Sequence, residues 1–159
     1  MCMPPALLFD LNKIDLNHVE FDRSAIAEVN PQAYEMAQLD AVTWVDSTRM
    51  LCLGYKDVTE NEFWVRGHIP GRPLMPGVIM VEAAAQLASF YMKRIYELKG
   101  FIGFSGIENT RFREAVPPGN RLWLLCHICK VRSRQFSAAV QGLVGDKMAF
   151  DTVISGMPI

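Results

Sequence analysis

Cysteine is scarce in this chain, with four among 159 residues (Cys2, Cys52, Cys126 and Cys129). That is too few for the disulfide framework of a small secreted scaffold. The opening residues, Met1 to Asp10, also lack the basic start and long apolar stretch of a signal peptide, so a reducing, cytoplasmic setting is expected. An excess of one charge is missing too. Sixteen Lys and Arg stand against seventeen Asp and Glu, which argues against a phosphate backbone, and so against nucleic acid, as the partner. No apolar run of membrane length is uninterrupted. Leu74 to Met92 approaches one but contains Pro76, Gly77, Glu82 and Gln86, and a carboxylate at the bilayer centre costs about 2.5–3.5 kcal/mol. It reads as a buried helix of a soluble protein. Repeats, low-complexity tracts and linkers are absent, so residues 1–159 read as a single domain, with 1–35 a less patterned lead-in. Cys126-His127-Ile128-Cys129 matches C-x-x-C, but it continues the strand-like run Leu122 to Ile128, where thiols three apart point to opposite faces. No second pair completes four ligands, so buried structural cysteines are expected and no metal site.

What is present is a surplus of apolar residues. Half the chain is hydrophobic and mean hydropathy is +0.12, high for one small domain with an unfavourable surface-to-volume ratio. Another subunit or an apolar ligand is expected to cover part of that surface. A short helix is expected near Asp22 to Glu28, capped by Asp22 or Ser24. Val42–Val45 and Met50–Tyr55 read as strands about a turn at 46–49, and further strands are expected at Gly103–Glu108, Leu122–Val131, Phe136–Val144 and Met148–Ser155. Between the two groups runs one long helix, Gly77 to Leu98, stopped by Gly100. A long helix followed by consecutive antiparallel strands predicts an α+β domain whose sheet curls around the helix.

The helix and the loop before it carry the chemistry. From Val78 to Met92 the strongly polar side chains are Glu82, Gln86 and Ser89, at i, i+4 and i+7, so they share one face of an otherwise apolar helix. Small Ala83, Ala84 and Ala85 admit a closely packed neighbour. The loop Gly67 to Gly77 holds three glycines and three prolines in eleven residues, which makes it stiff. It presents His68 and ends at a helix start, where the N–H groups of Gly77 and Val78 are free to meet a negatively charged oxygen. An imidazole, a carboxyl in an apolar setting and a helix N-terminus are the parts needed for acid–base chemistry beside a carbonyl. Each also has a structural reading: a turn-capping His68, an ion-paired Glu82, a Pro-Gly that only starts the helix. Their joint occurrence within fifteen residues, 68–82, favours an enzyme.

Gly67-His68-Ile69-Pro70-Gly71-Arg72-Pro73-Leu74-Met75-Pro76-Gly77-Val78 followed by Glu82-Ala83-Ala84-Ala85-Gln86 closely resembles the H-F-P-G-x-P-x-M-P-G-V…E-A-x-A-Q signature of the FabZ-type 3-hydroxyacyl-[acyl-carrier-protein] dehydratases. Residues 106–120 resemble the next block of that family, G-I-D-x-x-R-F-x-x-x-V-x-P-G-D, and the ordered match extends over about Met36 to Ser155. The resemblance implies the hotdog fold, a central helix wrapped by an antiparallel sheet, in homodimers that often assemble as trimers of dimers. It implies dehydration of a (3R)-3-hydroxyacyl carrier-protein thioester to the trans-2-enoyl thioester without metal or organic cofactor. His68 would be the base and Glu82 the acid, facing each other across the dimer. Gly77 and Val78 would hold the thioester oxygen, with Pro76 and Gln86 also contacting substrate, and the acyl chain would lie between protomers.

Three departures stand out. Ile69 replaces the usual Phe, Gly103 replaces a Tyr, and Pro31 to Ala41 keeps Asp40 but lacks both arginines of the relatives' P-H-R-x-P-x-L-L-V-D-R. The implied partner, acyl carrier protein, is acidic, so a local basic patch is expected among Arg111, Arg113, Arg121, Lys130, Arg132 and Arg134. His127 is expected as a strand residue with a satisfied ring and His18 as an exposed loop residue. Two alternative functions fit the same fold: a hotdog acyl thioesterase, and a non-catalytic acyl-binding partner subunit.

Overall fold

A computed structural model describes residues 3–159; Cys2 lies outside them. Helix α1 is Arg23–Ala27, with Asp22 accepting from the Ala25 amide as its N-cap. Strands β1 (Ala41–Asp46) and β2 (Leu51–Asp57) precede helix α2 (Gly77–Phe90). Strands β3 (Ile102–Phe112), β4 (Arg121–Arg132), β5 (Gln135–Val144) and β6 (Lys147–Pro158) follow it. All six form one antiparallel sheet in the order β1-β2-β4-β5-β6-β3. This is the helix-wrapping α+β sheet, the hotdog fold, that the sequence predicts.

The sheet's concave face closes over α2. Met80, Ala83, Ala84, Leu87 and Ala88 of the helix pack with Leu122, Leu124, Cys126, Ala138, Phe150 and Ile154 of the sheet, each large apolar side chain contributing roughly 1.5–3 kcal/mol by burial. Ala83 and Ala84 are fully buried, where their small size lets the backbones approach. The opposite face has a second apolar cluster. Leu51, Leu53 and Leu125 alternate outward from their concave-face neighbours, and the lead-in folds over them through Phe9, with Leu8, Leu11, Ile14 and Leu16 packed around it. The Phe9 ring packs tilted against Trp44, with centroids 5.2 Å apart. Part of the apolar surplus is therefore covered by the chain's own N-terminal segment.

Three expectations need correction. The α-helix ends at Phe90, not Leu98, and the chain continues as a wider π-helical turn over Tyr91–Ile95. Tyr91 and Met92 are both held in the core while Lys93 and Arg94 turn outward, and Arg94 pairs with Glu28 at 3.2 Å. Burial beside Cys52 and Cys126 pushes the Tyr91 hydroxyl up to about 12. Cys129 is exposed, because a bulge between Ile128 and Lys130 turns it out of the ladder. Cys52 and Cys126 are buried as expected, directly opposite each other on β2 and β4. Finally β3 runs to Phe112, past the expected end at Glu108, through a second bulge at Glu108/Arg111.

Asp40 finds cations from elsewhere in place of the arginines missing from its own segment. Arg23 of α1 donates to it through Nε at 2.9 Å, and the buried Lys56 lies 3.6 Å away, also pairing with Glu62 at 3.0 Å. Asp40 Oδ2, the oxygen nearest Lys56, also accepts from the Asp57 amide at 2.7 Å. The lead-in is thus tied to β2 by ionic and backbone contacts together.

Candidate active site

His68 sits on a loop closed by its own backbone. Its amide donates to the Trp64 carbonyl at 2.7 Å, the Leu74 amide donates to the His68 carbonyl at 3.0 Å, and Met75 N–H reaches the Val116 carbonyl at 2.8 Å. These bonds, with the fixed φ of three prolines, hold the imidazole in place. Its Nδ1 lies 2.9 Å from the Leu74 carbonyl oxygen. A carbonyl only accepts, so Nδ1 carries the hydrogen and Nε2 is left with a free lone pair. The ring is half-buried at a cavity of about 520 Å³ shared with Pro76, Gly77, Val78 and Phe112.

Pro76 precedes α2 without any side-chain cap, and the first-turn residues Gly77 and Val78 line this cavity, which puts the positive end of the helix dipole beside it. Gly77 has a packing reason to be glycine, since a Cβ there would come within 2.7 Å of the Phe112 ring. Gly77→Ala is therefore expected to displace Phe112 and lower turnover. The half-exposed ring has room to move, so melting temperature should fall by only a few degrees, for a stability loss of about 1 kcal/mol; steady-state rates and thermal melts on one preparation check this.

Glu82 lies one and a half turns further along α2 and faces a different cavity, of about 210 Å³, together with Gln32, Ala85, Ser89, Phe101 and Phe104. The two cavities share no lining residue. His68, Pro76, Gly77 and Val78 thus line one cavity, and Glu82 is separated from them within one chain. Gln86 requires a correction. It is only 2% exposed and lines neither cavity; its amide is engaged by Glu82, Met36 and Gln38, so it is not placed to contact substrate. Gln32 and Phe112 escaped sequence reasoning as site residues. Phe112 stands in the R-F pair of the quoted block, the one signal that pointed to it.

Several basic candidates are already committed. Arg121 forms a paired contact with Asp57 at 2.7 and 3.0 Å and lies 3.7 Å over the Tyr55 ring. Its Asp57 partner raises its pKa against the opposing effect of burial. Arg113 binds Asp151 at 2.7 Å. Arg111, Lys130, Arg132 and Arg134 are exposed. His18 is an exposed loop residue, 2.9 Å from Glu20. His127 is a half-buried strand residue whose Nδ1 lies 3.8 Å from the Cys129 sulfur.

Fold and site together define a hotdog-fold protein whose imidazole and carboxyl line separate cavities. The chain matches the FabA-like domain model over residues 30–152. It is 35% identical over 129 residues to the 3-hydroxyacyl-[acyl-carrier-protein] dehydratase FabZ of Thermoanaerobacter sp. (strain X514), covering 80% of this chain and 90% of that one. To the enzyme of the same name from Bacillus subtilis (strain 168) it is 39% identical over 112 residues, 70% of this chain and 79% of that one. Among solved structures, the dehydratase heterocomplex ApeI:P from Xenorhabdus doucetiae superposes with a TM-score of 0.70 at 14% identity, covering 84% of this chain and 90% of that one. Cj0977, a sigma28-regulated virulence protein from Campylobacter jejuni, gives 0.61 at 17% identity, covering 86% and 88%. The chain belongs to the FabA-like domain family.

Proposed function

We propose that this protein dehydrates (3R)-3-hydroxyacyl-[acyl-carrier-protein] to the trans-2-enoyl thioester in acyl-chain biosynthesis, with a site completed between two copies of the chain. The observation that carries the reading is His68, with Nδ1 fixed on the Leu74 carbonyl, beside the uncapped start of α2, in a chain closely similar to named FabZ dehydratases over most of its length. His68 Nε2 removes the proton α to the thioester carbonyl. Charge that builds on the thioester oxygen is met by the Gly77 and Val78 N–H groups. The C–H electron pair becomes the C2=C3 double bond as the C3–O bond breaks, and Glu82 in its acid form delivers a proton to the departing hydroxyl, which leaves as water. Solvent returns the imidazolium and the carboxylate to their starting states.

Strand β3 supports the pairing. Among the described residues it is hydrogen-bonded on one side only, to β6, and none of its residues is buried. Phe104, Ile107 and Phe112 stand exposed along it, an apolar open edge of the kind that pairs with another strand. Phe104 lines the Glu82 cavity and Phe112 the His68 cavity. A two-fold antiparallel pairing about the middle of β3 therefore sets the His68 half-site of one protomer against the Glu82 half-site of its partner. Such a pairing gives the exposed apolar side chains of β3 a partner. No helix among the described residues is long and apolar enough to cross a membrane.

The test is to incubate purified protein with a 3-hydroxyacyl carrier protein and follow both enoyl absorbance and free thiol. Enoyl product without thiol release is expected. Thiol release without enoyl would mean a thioesterase, and no turnover with co-purified acyl ligand would mean a non-catalytic subunit.

A further inference from the structure

Gln86 is the one polar side chain of α2 that touches neither cavity, and its three hydrogen bonds join two separate parts of the fold. The Gln38 backbone amide donates to Oε1 at 2.8 Å. Nε2 donates to the Met36 carbonyl at 2.6 Å and to Glu82 Oε1 at 2.7 Å. The orientation of the amide is dictated by its neighbours: an N–H meets one end and a carbonyl the other, so a flipped amide would lose both bonds. Nε2 has therefore no choice but to point a hydrogen at Glu82. The same turn is held from outside by Asn30, whose Nδ2 donates to the Gln86 backbone carbonyl at 2.9 Å.

We infer that Gln86 is a positioning residue for Glu82, fixing which carboxyl oxygen carries the transferable proton. With Oε1 accepting from Nε2, Oε1 is the carbonyl-like oxygen, and the proton resides on Oε2, the oxygen without this internal partner. A free carboxyl rotates about its last torsion and interchanges the two; the Gln86 amide removes that freedom at the acid itself. The anchor behind it is the segment Met36–Gln38, whose downstream end is tied down by the contacts of Asp40 to Arg23, Lys56 and the Asp57 amide. This links the part of the chain that departs from the FabZ pattern to the acid. It also accounts for a polar residue buried in an apolar helix, where an unsatisfied amide would be costly.

The inference rests on the reading of Glu82 as the acid, and the test separates the two. Gln86→Met and Gln86→Leu are made in the full-length protein, each alone and in a Glu82→Gln background, and assayed with a hydroxyacyl thioester. Both remove the two donors and introduce no acid. Gln86→Leu, with its shorter branched side chain, reports if the Met variant does not fold. Alone, either is expected to lower kcat about ten- to a hundred-fold with KM within about two-fold of wild type, because position and not binding is lost. In the Glu82→Gln background the same change should have no further effect, since a carboxyl that is absent cannot be misplaced. An equal loss in both backgrounds, or full kcat for the folded single variants, would overturn the inference. Full activity of Glu82→Gln by itself would overturn the acid assignment, and the inference with it.

Discussion

His68→Ala is expected to lower the dehydration rate by roughly 10²–10⁴-fold while leaving the fold intact. The loop around it is closed by the backbone bonds of His68, Leu74 and Met75, which the substitution preserves. What goes is the one group whose tautomer is arranged to accept a proton. The lost bond from Nδ1 to Leu74 leaves a half-buried carbonyl short of one donor, a cost of about 1 kcal/mol. Circular dichroism and thermal melts should therefore resemble wild type. Glu82→Gln should lose a comparable factor in kcat, since the amide keeps the shape but is not an acid. Steady-state kinetics of both variants against the same thioester checks this, and full rate in both would show that the chemistry lies elsewhere.

The second large effect is expected from the edge strand. Ile107→Asp places a charge at the middle of β3, where Phe104, Ile107 and Phe112 are exposed and where the proposed two-fold passes. Ile107 is half exposed in the single chain, so the substitution should cost the monomer little, within about 0.5 kcal/mol. Desolvating a carboxylate in a paired interface costs far more. The variant should elute as a folded monomer on size exclusion with light scattering, and its activity should be at background. A monomer with full activity would mean that one chain carries a whole site.

Features set by local chemistry could be read in the sequence. The loop 67–77 is legible because prolines and glycines fix its backbone whatever surrounds it, and the shared face of Glu82, Gln86 and Ser89 follows from helical spacing alone. The strands from β4 to β6 show as apolar runs between turn signals. The remainder depends on contacts distant in sequence. Residues 91–95 contain ordinary helix formers, and only their packing in the core shows the π turn. Cys129 was hidden by a bulge that register, not composition, creates. Asp40 seemed to lack its cations because they come from Arg23 and Lys56, 17 and 16 positions away. The family resemblance implies that Gln86 contacts substrate, and its partners in Met36 and Gln38, some fifty residues earlier, are not visible in the sequence.

The central claim, that a working site takes His68 from one protomer and Glu82 from another, is tested most directly by mixing. His68→Ala and Glu82→Gln, each nearly inactive alone and carrying different affinity tags, are unfolded and refolded together, and doubly tagged heterodimers are isolated. In such a heterodimer one site holds both substitutions and the other holds neither, so the purified species should regain about half of wild-type activity per dimer. Heterodimers that form and remain as inactive as either parent would contradict a site shared between two chains.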